Sequence, residues 1–207
     1  MRARDLTVKL GLDWGSSSPG CVVFGVALPD AHAHLFDEYK FQRQTVADVA
    51  KALRAKCLDE WRLPKMPPIY CDPALRQKTG QIGEDYLQTF SRYKVTLTPV
   101  SNHRTAGWQR CHEALAIDPT TGQPWLTIHP RCKYLIRTLP AMLQDDTDPE
   151  DLDTASDDHA CDALRYLLMG GLRPGQKTQV RESPTPNTWG FWRQYHERQG
   201  QQTGVLA

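Results

Sequence analysis

Apolar residues near the start of the chain fall into short runs that are typical of β-strands. Residues 6–13 and 20–28 are β-branched and aliphatic, and the glycine, serine and proline cluster at 15–20 between them favours a turn. A third run covers residues 34–41. The pattern predicts three strands that follow one another as an antiparallel meander.

After the meander, the apolar spacing becomes that of helices alternating with short strands. Residues 45–61 carry apolar side chains at near-helical intervals, and Thr45 is a suitable N-cap. Further strands are predicted at 69–71, 93–99 and 125–128, and further helices at 80–90, 102–116, 132–143 and 157–169. This order predicts an α/β fold: a mixed sheet, with the antiparallel meander first and parallel strands after it, flanked by helices.

Length and composition predict one domain followed by a tail. The chain has 207 residues, of which 40% are hydrophobic, and this is enough for one domain with a sizeable core. Prolines and glycines become frequent after Arg173. We therefore expect a domain over residues 1–173 and a C-terminal tail over 174–207 that is ordered in part at most, around 189–195.

Charge is balanced over the whole chain but segregated locally. The formal net charge is +1, with 25 basic and 24 acidic residues, so no global field attracts nucleic acid or an anionic membrane. Acids concentrate at 144–158, whereas 76–110 and 131–137 are richer in arginine and lysine. An electrostatic attraction to a partner must therefore be local.

Cysteine spacing and hydropathy bear on the compartment. The six cysteines contain no C-x-x-C pair, which argues against a zinc site and against a disulfide scaffold. No apolar stretch approaches the roughly 20 residues that a membrane helix needs, and no signal-peptide apolar region follows the first residues. We expect reduced thiols, a cytoplasmic location and no membrane partner.

Carboxylates stand at the ends of two predicted strands and at the start of the last helix. Asp13 and Asp72 each follow a strand-like run, and Asp157, Asp158 and Asp162 open the helix. Three elements that deliver carboxylates to one point would form an oxygen-rich site for Mg²⁺ or Mn²⁺. Two-metal hydrolysis of a phosphodiester needs a bridging carboxylate and further acids, so we expect Asp13 to bridge, with Asp72 and Asp158 as further catalytic ligands.

The remaining two acids of the helix are distinguished by their position on its surface. Asp162 lies four residues after Asp158 and shares its face, so it is a further candidate ligand. Asp157 is turned by about 100° from Asp158 and is expected to be a helix cap or an outer ligand. Ordinary structural roles compete with these expectations: Asp13 as a turn residue, either early acid as a cap, and Asp162 as the ion-pair partner of Arg165.

Five segments together resemble the C-terminal nuclease domain of tailed-bacteriophage large terminases. They are GLDWG at 11–15, IYCDPA at 69–74, NHRTAG at 102–107, WLTIHPRCKYLI at 125–136 and DHACDALRY at 158–166, and they keep the family's order over about residues 6–169. The resemblance implies an RNase H-like fold whose metal ligands are Asp13, Asp72 and an acid of the final helix. It also implies an endonuclease that cuts concatemeric viral double-stranded DNA during genome packaging in the host cytoplasm.

The same resemblance implies partners and residues that contact DNA. A terminase motor domain, a portal and a small terminase are the implied protein partners, but no G-x-x-x-x-G-K-[ST] motif occurs, so we expect no ATPase domain in this chain. Arg104 lies near the place where the family has a basic residue by the active site, and we expect it to contact a phosphate. Further expected contacts to the DNA backbone, with little sequence preference, are Arg76, Lys78, Arg131 and Lys133.

Three alternatives share some of these features. Junction resolvases and transposases are RNase H-like nucleases with the same carboxylate chemistry. An actin-like sugar kinase or ATPase is a second alternative, because residues 13–18 also resemble a phosphate loop, although 207 residues are too few for the two domains such enzymes need. The third is an RNase H-like domain that only binds DNA or a packaging partner.

Overall fold

The computed structural model describes residues 7–15, 18–77, 85–142 and 157–175. The expected DNA contact Lys78, most of the acidic segment 144–158 and nearly all of the predicted tail lie outside the described residues.

A six-stranded mixed sheet forms the centre of the described structure. Its strands are β1 (Thr7–Asp13), β2 (Gly20–Ala27), β3 (Ala33–Phe41), β4 (Ile69–Cys71), β5 (Leu97–Pro99) and β6 (Leu126–Ile128). They lie in the order β5-β4-β1-β2-β3-β6. The meander β1-β2-β3 is antiparallel, β4 pairs parallel with β1, β5 parallel with β4, and β6 parallel with β3. The predicted fold class is therefore confirmed.

Five α-helices of the described residues cover the sheet, and several begin where the sequence predicts. They are α1 (Val46–Arg54), α2 (Tyr86–Arg92), α3 (Arg104–Leu115), α4 (Lys133–Thr138) and α5 (His159–Gly170). Thr45 caps α1 in a reciprocal capping box with Asp48, as its position before the apolar run predicts. A π-helical segment, Ala55–Glu60, extends α1.

Two predicted elements are too long, each for a local reason. The helix predicted at 132–143 ends as α4 at Thr138 and continues as a 3₁₀ turn that contains Pro140, which has no N–H to donate. The strand predicted at 93–99 is reduced to β5 because Lys94, at φ 59°, still belongs to the turn after α2.

Helices pack on both faces of the sheet, and each face has its own core. One core joins Leu10, Leu12 and Phe24 to apolar residues of α1 and α2. The other joins Val23 and Leu35 to apolar residues of α3, α4 and α5. This is a three-layer α/β/α arrangement in which α5 lies directly against β1 and β2. Within the described residues, no helix is both long enough and apolar enough to cross a bilayer.

Candidate active site

The strands β1 and β4 bring Asp13 and Asp72 to the same edge of the sheet. The two strands are parallel, with Leu12 opposite Cys71, so the residue that follows each of them stands at the same level. Asp13 is the last residue of β1, and Asp72 precedes a 3₁₀ turn, where its Oδ1 accepts a 2.6 Å hydrogen bond from the backbone N–H of Ala74. The two strand-end acids predicted from the sequence are therefore neighbours.

The start of α5 brings the remaining acids to this edge. His159, the first residue of the helix, donates from Nδ1 to Oδ2 of Asp13 at 2.8 Å, and this contact joins α5 to the end of β1. Asp158 occupies the N-cap position, but its side chain makes no capping hydrogen bond. Asp162 follows one turn later on the same face, where it is buried with 8% of its surface exposed.

The pKa values of Asp13 and Asp158 reflect how closely the acids are grouped. Burial, reinforced by the charges of Asp162 and Asp72, raises the pKa of Asp13 despite its hydrogen bond with His159. Burial, followed by the charges of Asp162 and Asp13, raises the pKa of Asp158 to about 6, although His159 and Arg104 oppose the rise. Four carboxylates from three elements therefore act on one another electrostatically.

Positive and hydroxyl groups offset part of this repulsion. Nη1 of Arg104 lies 3.9 Å from Oδ2 of Asp158 and 3.8 Å from Oδ2 of Asp162. Nε of Arg165 donates to Oδ1 of Asp162 at 2.9 Å, which confirms the ion pair considered for these two residues from the sequence. The hydroxyl of Tyr166 donates to Oδ2 of Asp72. The hydrogen bond that His159 donates to Asp13 also raises the pKa of His159.

The donor set suits a hard divalent cation, but it is not yet arranged around one. Within the described ranges, no group of three or more His, Cys, Asp or Glu side chains stands in an arrangement that could hold a metal ion. Asp13, Asp162 and Asp72 are instead bonded to His159, Arg165 and Tyr166. Grouped carboxylates whose charges repel one another are the ligands that Mg²⁺ and Mn²⁺ prefer. The residues fit such an ion by their chemistry, and ligation would need some of the carboxylates to move closer together.

Asp157 differs from the expectation that it caps the last helix. The N-cap position belongs to Asp158. The carboxylate of Asp157 instead accepts hydrogen bonds from the hydroxyl of Tyr134 and, at 2.9 Å, from Nη2 of Arg137, both on α4. The prediction of a cap is therefore wrong, because α5 begins two residues later than Asp157. An outer metal-ligand role for Asp157 stays a prediction.

The expected DNA-contacting residues are distributed unevenly around the acids. Arg104 is brought to them at the first turn of α3. Arg76 is exposed at the end of the 3₁₀ turn that begins after Asp72, and Lys133 is exposed at the start of α4. Arg131 lies on the far side of β3, where Nη2 donates to Oε1 of Glu60 at 2.6 Å. Contact with DNA stays a prediction for all of them.

Sequence reasoning missed the hydroxyl and cationic side chains that bond to the acids. One of these side chains is Tyr166, which bonds to Asp72. It was missed although it lies four residues after Asp162 and therefore on the same helical face. Tyr134 and Arg137, which bond to Asp157, were the others, and Lys40 lies 4.0 Å from the Tyr134 ring centroid. No short-range pattern connects Tyr134 and Arg137 with Asp157 and Lys40, because these four residues are brought together by the packing of α4 between β3 and α5.

The fold is that of large-terminase nuclease domains. A large terminase from a thermophilic bacteriophage aligns with a TM-score of 0.63 at 14% identity, covering 84% of this chain and 41% of that protein, so this chain spans less than half of its length. The nuclease domain of the P22 large terminase aligns with a TM-score of 0.59 at 14% identity over 82% of this chain and 84% of that domain. The large-terminase nuclease domain of bacteriophage SPP1, a structure with bound Mn, gives 0.50 at 18% identity over 80% and 86%.

Sequence comparison adds no relative to these structural ones. No protein-family model matches the chain. No curated protein matches it either. The predicted resemblance is thus confirmed at the level of the fold, by structure, with sequence identities too low to extend it further.

Proposed function

We propose that this chain is a divalent-metal-dependent endonuclease that cuts double-stranded DNA and serves as the nuclease domain of a viral genome-packaging machine. The observation that carries the proposal is the convergence of Asp13, Asp72, Asp158 and Asp162 at one edge of the sheet. The fold shared with large-terminase nuclease domains supports the same reading.

The four acids are the groups that would hold the ions. Asp13 is the best candidate for a shared ligand, because its pKa responds to acids on both β4 and α5. Bound divalent ions would activate a water for in-line attack and stabilise the leaving 3′-oxygen, which gives 5′-phosphate and 3′-hydroxyl ends. The bound Mn in the SPP1 nuclease domain supports Mn²⁺ as an ion to test, alongside Mg²⁺.

The protein's own side chains would prepare the site and orient the DNA. Arg104 lies beside Asp158 and Asp162 with a quarter of its side chain exposed (26%), so a phosphate that approaches the acids would meet a guanidinium there. His159 orients Asp13 from the start of α5. Arg76 and Lys133 would add backbone contacts, which position DNA but do not read its sequence, so cleavage should show little sequence preference.

The wider biological role belongs to the same proposal. Cutting of concatemeric viral DNA, action with a motor domain, a portal and a small terminase, and a location in the host cytoplasm follow from the resemblance. The division into a nuclease domain at 1–173 and a tail at 174–207, which composition predicts, is part of the same proposal.

Plasmid cleavage tests the proposed function. Purified protein is incubated with supercoiled plasmid in MnCl₂, in MgCl₂ or in EDTA, and nicked and linear products are measured. We expect cleavage with a divalent ion and none in EDTA. Comparing a four-way junction with a linear duplex of the same length tests the alternative of a junction resolvase, which would strongly prefer the branched substrate.

Substitution of the acids ties cleavage to this site. Asp13→Asn and Asp72→Asn each keep the side-chain shape but remove the charge, and each should slow cleavage at least about a hundredfold. Asp30→Asn is the matched control, because Asp30 is an exposed acid in the turn after β2, at the opposite end of the sheet. Undiminished cleavage by Asp13→Asn would overturn the assignment.

A further inference from the structure

We propose that Arg165 and Tyr166 are positioning residues that orient two of the candidate metal ligands, Asp162 and Asp72, from a single buried guanidinium. This inference rests on the proposed function, because it concerns how the same acids are held for an ion. It assigns roles to two buried side chains.

Arg165 is the centre of the network. Only 1% of its surface is exposed, which is unusual for a charged side chain. Nε donates to Oδ1 of Asp162 at 2.9 Å, and Nη2 donates to the hydroxyl oxygen of Tyr166 at 3.0 Å. The planar guanidinium therefore directs two donors, at fixed angles, towards two different groups.

Tyr166 extends the network to a second element of the fold. It is 2% exposed, and its hydroxyl accepts from Arg165 while it donates to Oδ2 of Asp72. Hydrogen bonds in such a chain polarise one another, so the positive charge of Arg165 strengthens the bond to Asp72. One cation on α5 thus acts on an acid of its own helix and on the acid that follows β4.

The neighbouring helix α3 provides a slot for this cation. The guanidinium lies 5.3 Å from the ring centroid of Trp108 and 4.5 Å from that of Tyr166. A Cβ added at Gly107 would come within 2.6 Å of Cγ of Arg165, so only a residue without a side chain fits there. The backbone of α3 therefore fixes the position of Arg165.

The network is costly if its only role is to stabilise the fold. Nη1 of Arg165 is buried and has no hydrogen-bond partner among the described residues. A buried ion pair with an unpaired donor is often no more stable than apolar packing of the same volume. An orienting role explains why the guanidinium nevertheless lies where it contacts Asp162 and the hydroxyl that bonds to Asp72.

The orienting effect is seen in how each acid is held. Arg165 fixes Oδ1 of Asp162, which leaves Oδ2 on the side of Asp158 and Arg104. Asp72 is fixed at both oxygens, by the N–H of Ala74 and by Tyr166. Groups that orient metal ligands in this way typically contribute a factor of about 10 to 100 in metal affinity or activity.

The test is the affinity for Mn²⁺ of the full chain, measured by calorimetry with Mn²⁺ alone. Tyr166→Phe removes only the hydroxyl and keeps the ring, so we expect the fold to persist and Mn²⁺ binding to weaken roughly tenfold. In an Asp72→Asn background, Tyr166→Phe should have almost no further effect, because the hydroxyl acts through Asp72. A residue with a structural role alone would not show this dependence on Asp72.

Two more variants complete the experiment. Arg165→Lys keeps the charge but loses the planar fork, and it should weaken Mn²⁺ binding at least as much as Tyr166→Phe. Tyr39→Phe is the matched control, because it removes a partly buried hydroxyl that donates to Gln44 at 2.7 Å. It should leave Mn²⁺ affinity unchanged. Thermal unfolding of each variant establishes that it is folded at the temperature of the titration.

The outcomes separate this inference from the proposed function. Wild-type protein that binds no Mn²⁺ would overturn both. Wild-type protein that binds Mn²⁺ and cleaves plasmid, together with a folded Tyr166→Phe variant of equal Mn²⁺ affinity, would overturn the positioning role alone. An equal loss on Tyr166→Phe with and without Asp72→Asn would also overturn it.

Discussion

At the scale of single residues, the candidate site is a group of acids that the folded protein holds at an electrostatic cost. The pKa of Asp158 rises to about 6 from the ordinary 3.8, first because it is buried and then because Asp162 and Asp13 lie close. The same two causes raise the pKa of Asp13. Such a site favours positive charge, and Arg104 and Arg165 supply it beside Asp162.

This cost should appear as a pH-dependent stability of the metal-free protein. Because the folded-state pKa of Asp158 is raised, folding binds a proton, and the free energy of unfolding falls as the pH rises from about 4 through about 6. Asp158→Asn removes the contribution of this carboxyl to the dependence. We expect the variant to be more stable than wild type at pH 8 by on the order of 2 kcal/mol, and nearly equal at pH 4.

Urea unfolding in EDTA at pH 4 and pH 8 measures both differences. Asp30→Asn, which changes an exposed acid with 68% of its side chain accessible, is the control and should track wild type at both values. A wild-type protein as stable as Asp158→Asn at pH 8 would contradict the account of this carboxyl.

At the scale of elements, the site depends on how closely α5 approaches β1. Gly11, in the middle of β1, faces the helix, and a Cβ added there would lie 2.7 Å from Cβ of Leu167 and closer still to the carbonyl oxygen of Ala163. The absent side chain lets the helix pack against the strand backbone. The acids at the start of α5 therefore reach Asp13 at the end of the same strand.

A methyl group at Gly11 should separate these two elements. Gly11→Ala is expected to lower the free energy of unfolding by about 3 kcal/mol, as overpacked cores do. In protein that is still folded, cleavage should fall further than stability alone explains, because Asp158 and Asp162 move with the helix. Urea unfolding and plasmid cleavage at a temperature below the transition measure the two effects.

Gly122→Ala is the control for Gly11→Ala, because it strains the backbone without crowding a neighbouring side chain. Gly122 has φ +71° but no atom within 4 Å of an added Cβ. Its substitution should cost about 1 kcal/mol, from the left-handed backbone alone, and leave cleavage unchanged. Full cleavage activity of folded Gly11→Ala would show that the close approach of α5 does not set the site.

At the scale of the whole molecule, the sheet is the frame that makes distant residues neighbours. Asp13 and Asp72 are 59 positions apart by number, yet the parallel pairing of β1 with β4 sets them level. The core that joins the sheet to α3, α4 and α5 holds α5 and its acids against that edge.

Much of the fold could be predicted, because it follows from patterns within short stretches of the sequence. Three apolar runs and the turn cluster after the first predict the meander, and Thr45 as an N-cap predicts the start of α1. The acids were identified by the same means, since Asp13 and Asp72 end strands, and Asp158 and Asp162 share a helical face.

The rest depends on contacts between segments that are far apart in the chain. Hydrophobic spacing does not say that β6 pairs with β3 at the far edge, so it could not place Arg131 beside Glu60. Neither does it give side-chain rotamers, which decide that Tyr166 reaches Asp72 and that Asp157 turns to α4.

The most direct test of the central claim is the anomalous diffraction from crystals soaked in MnCl₂. The account predicts Mn²⁺ in direct contact with the carboxylate of Asp13 and with at least one of Asp72, Asp158 and Asp162. Mn²⁺ bound only elsewhere, with Asp13 still bonded to His159 at 2.8 Å, would contradict it.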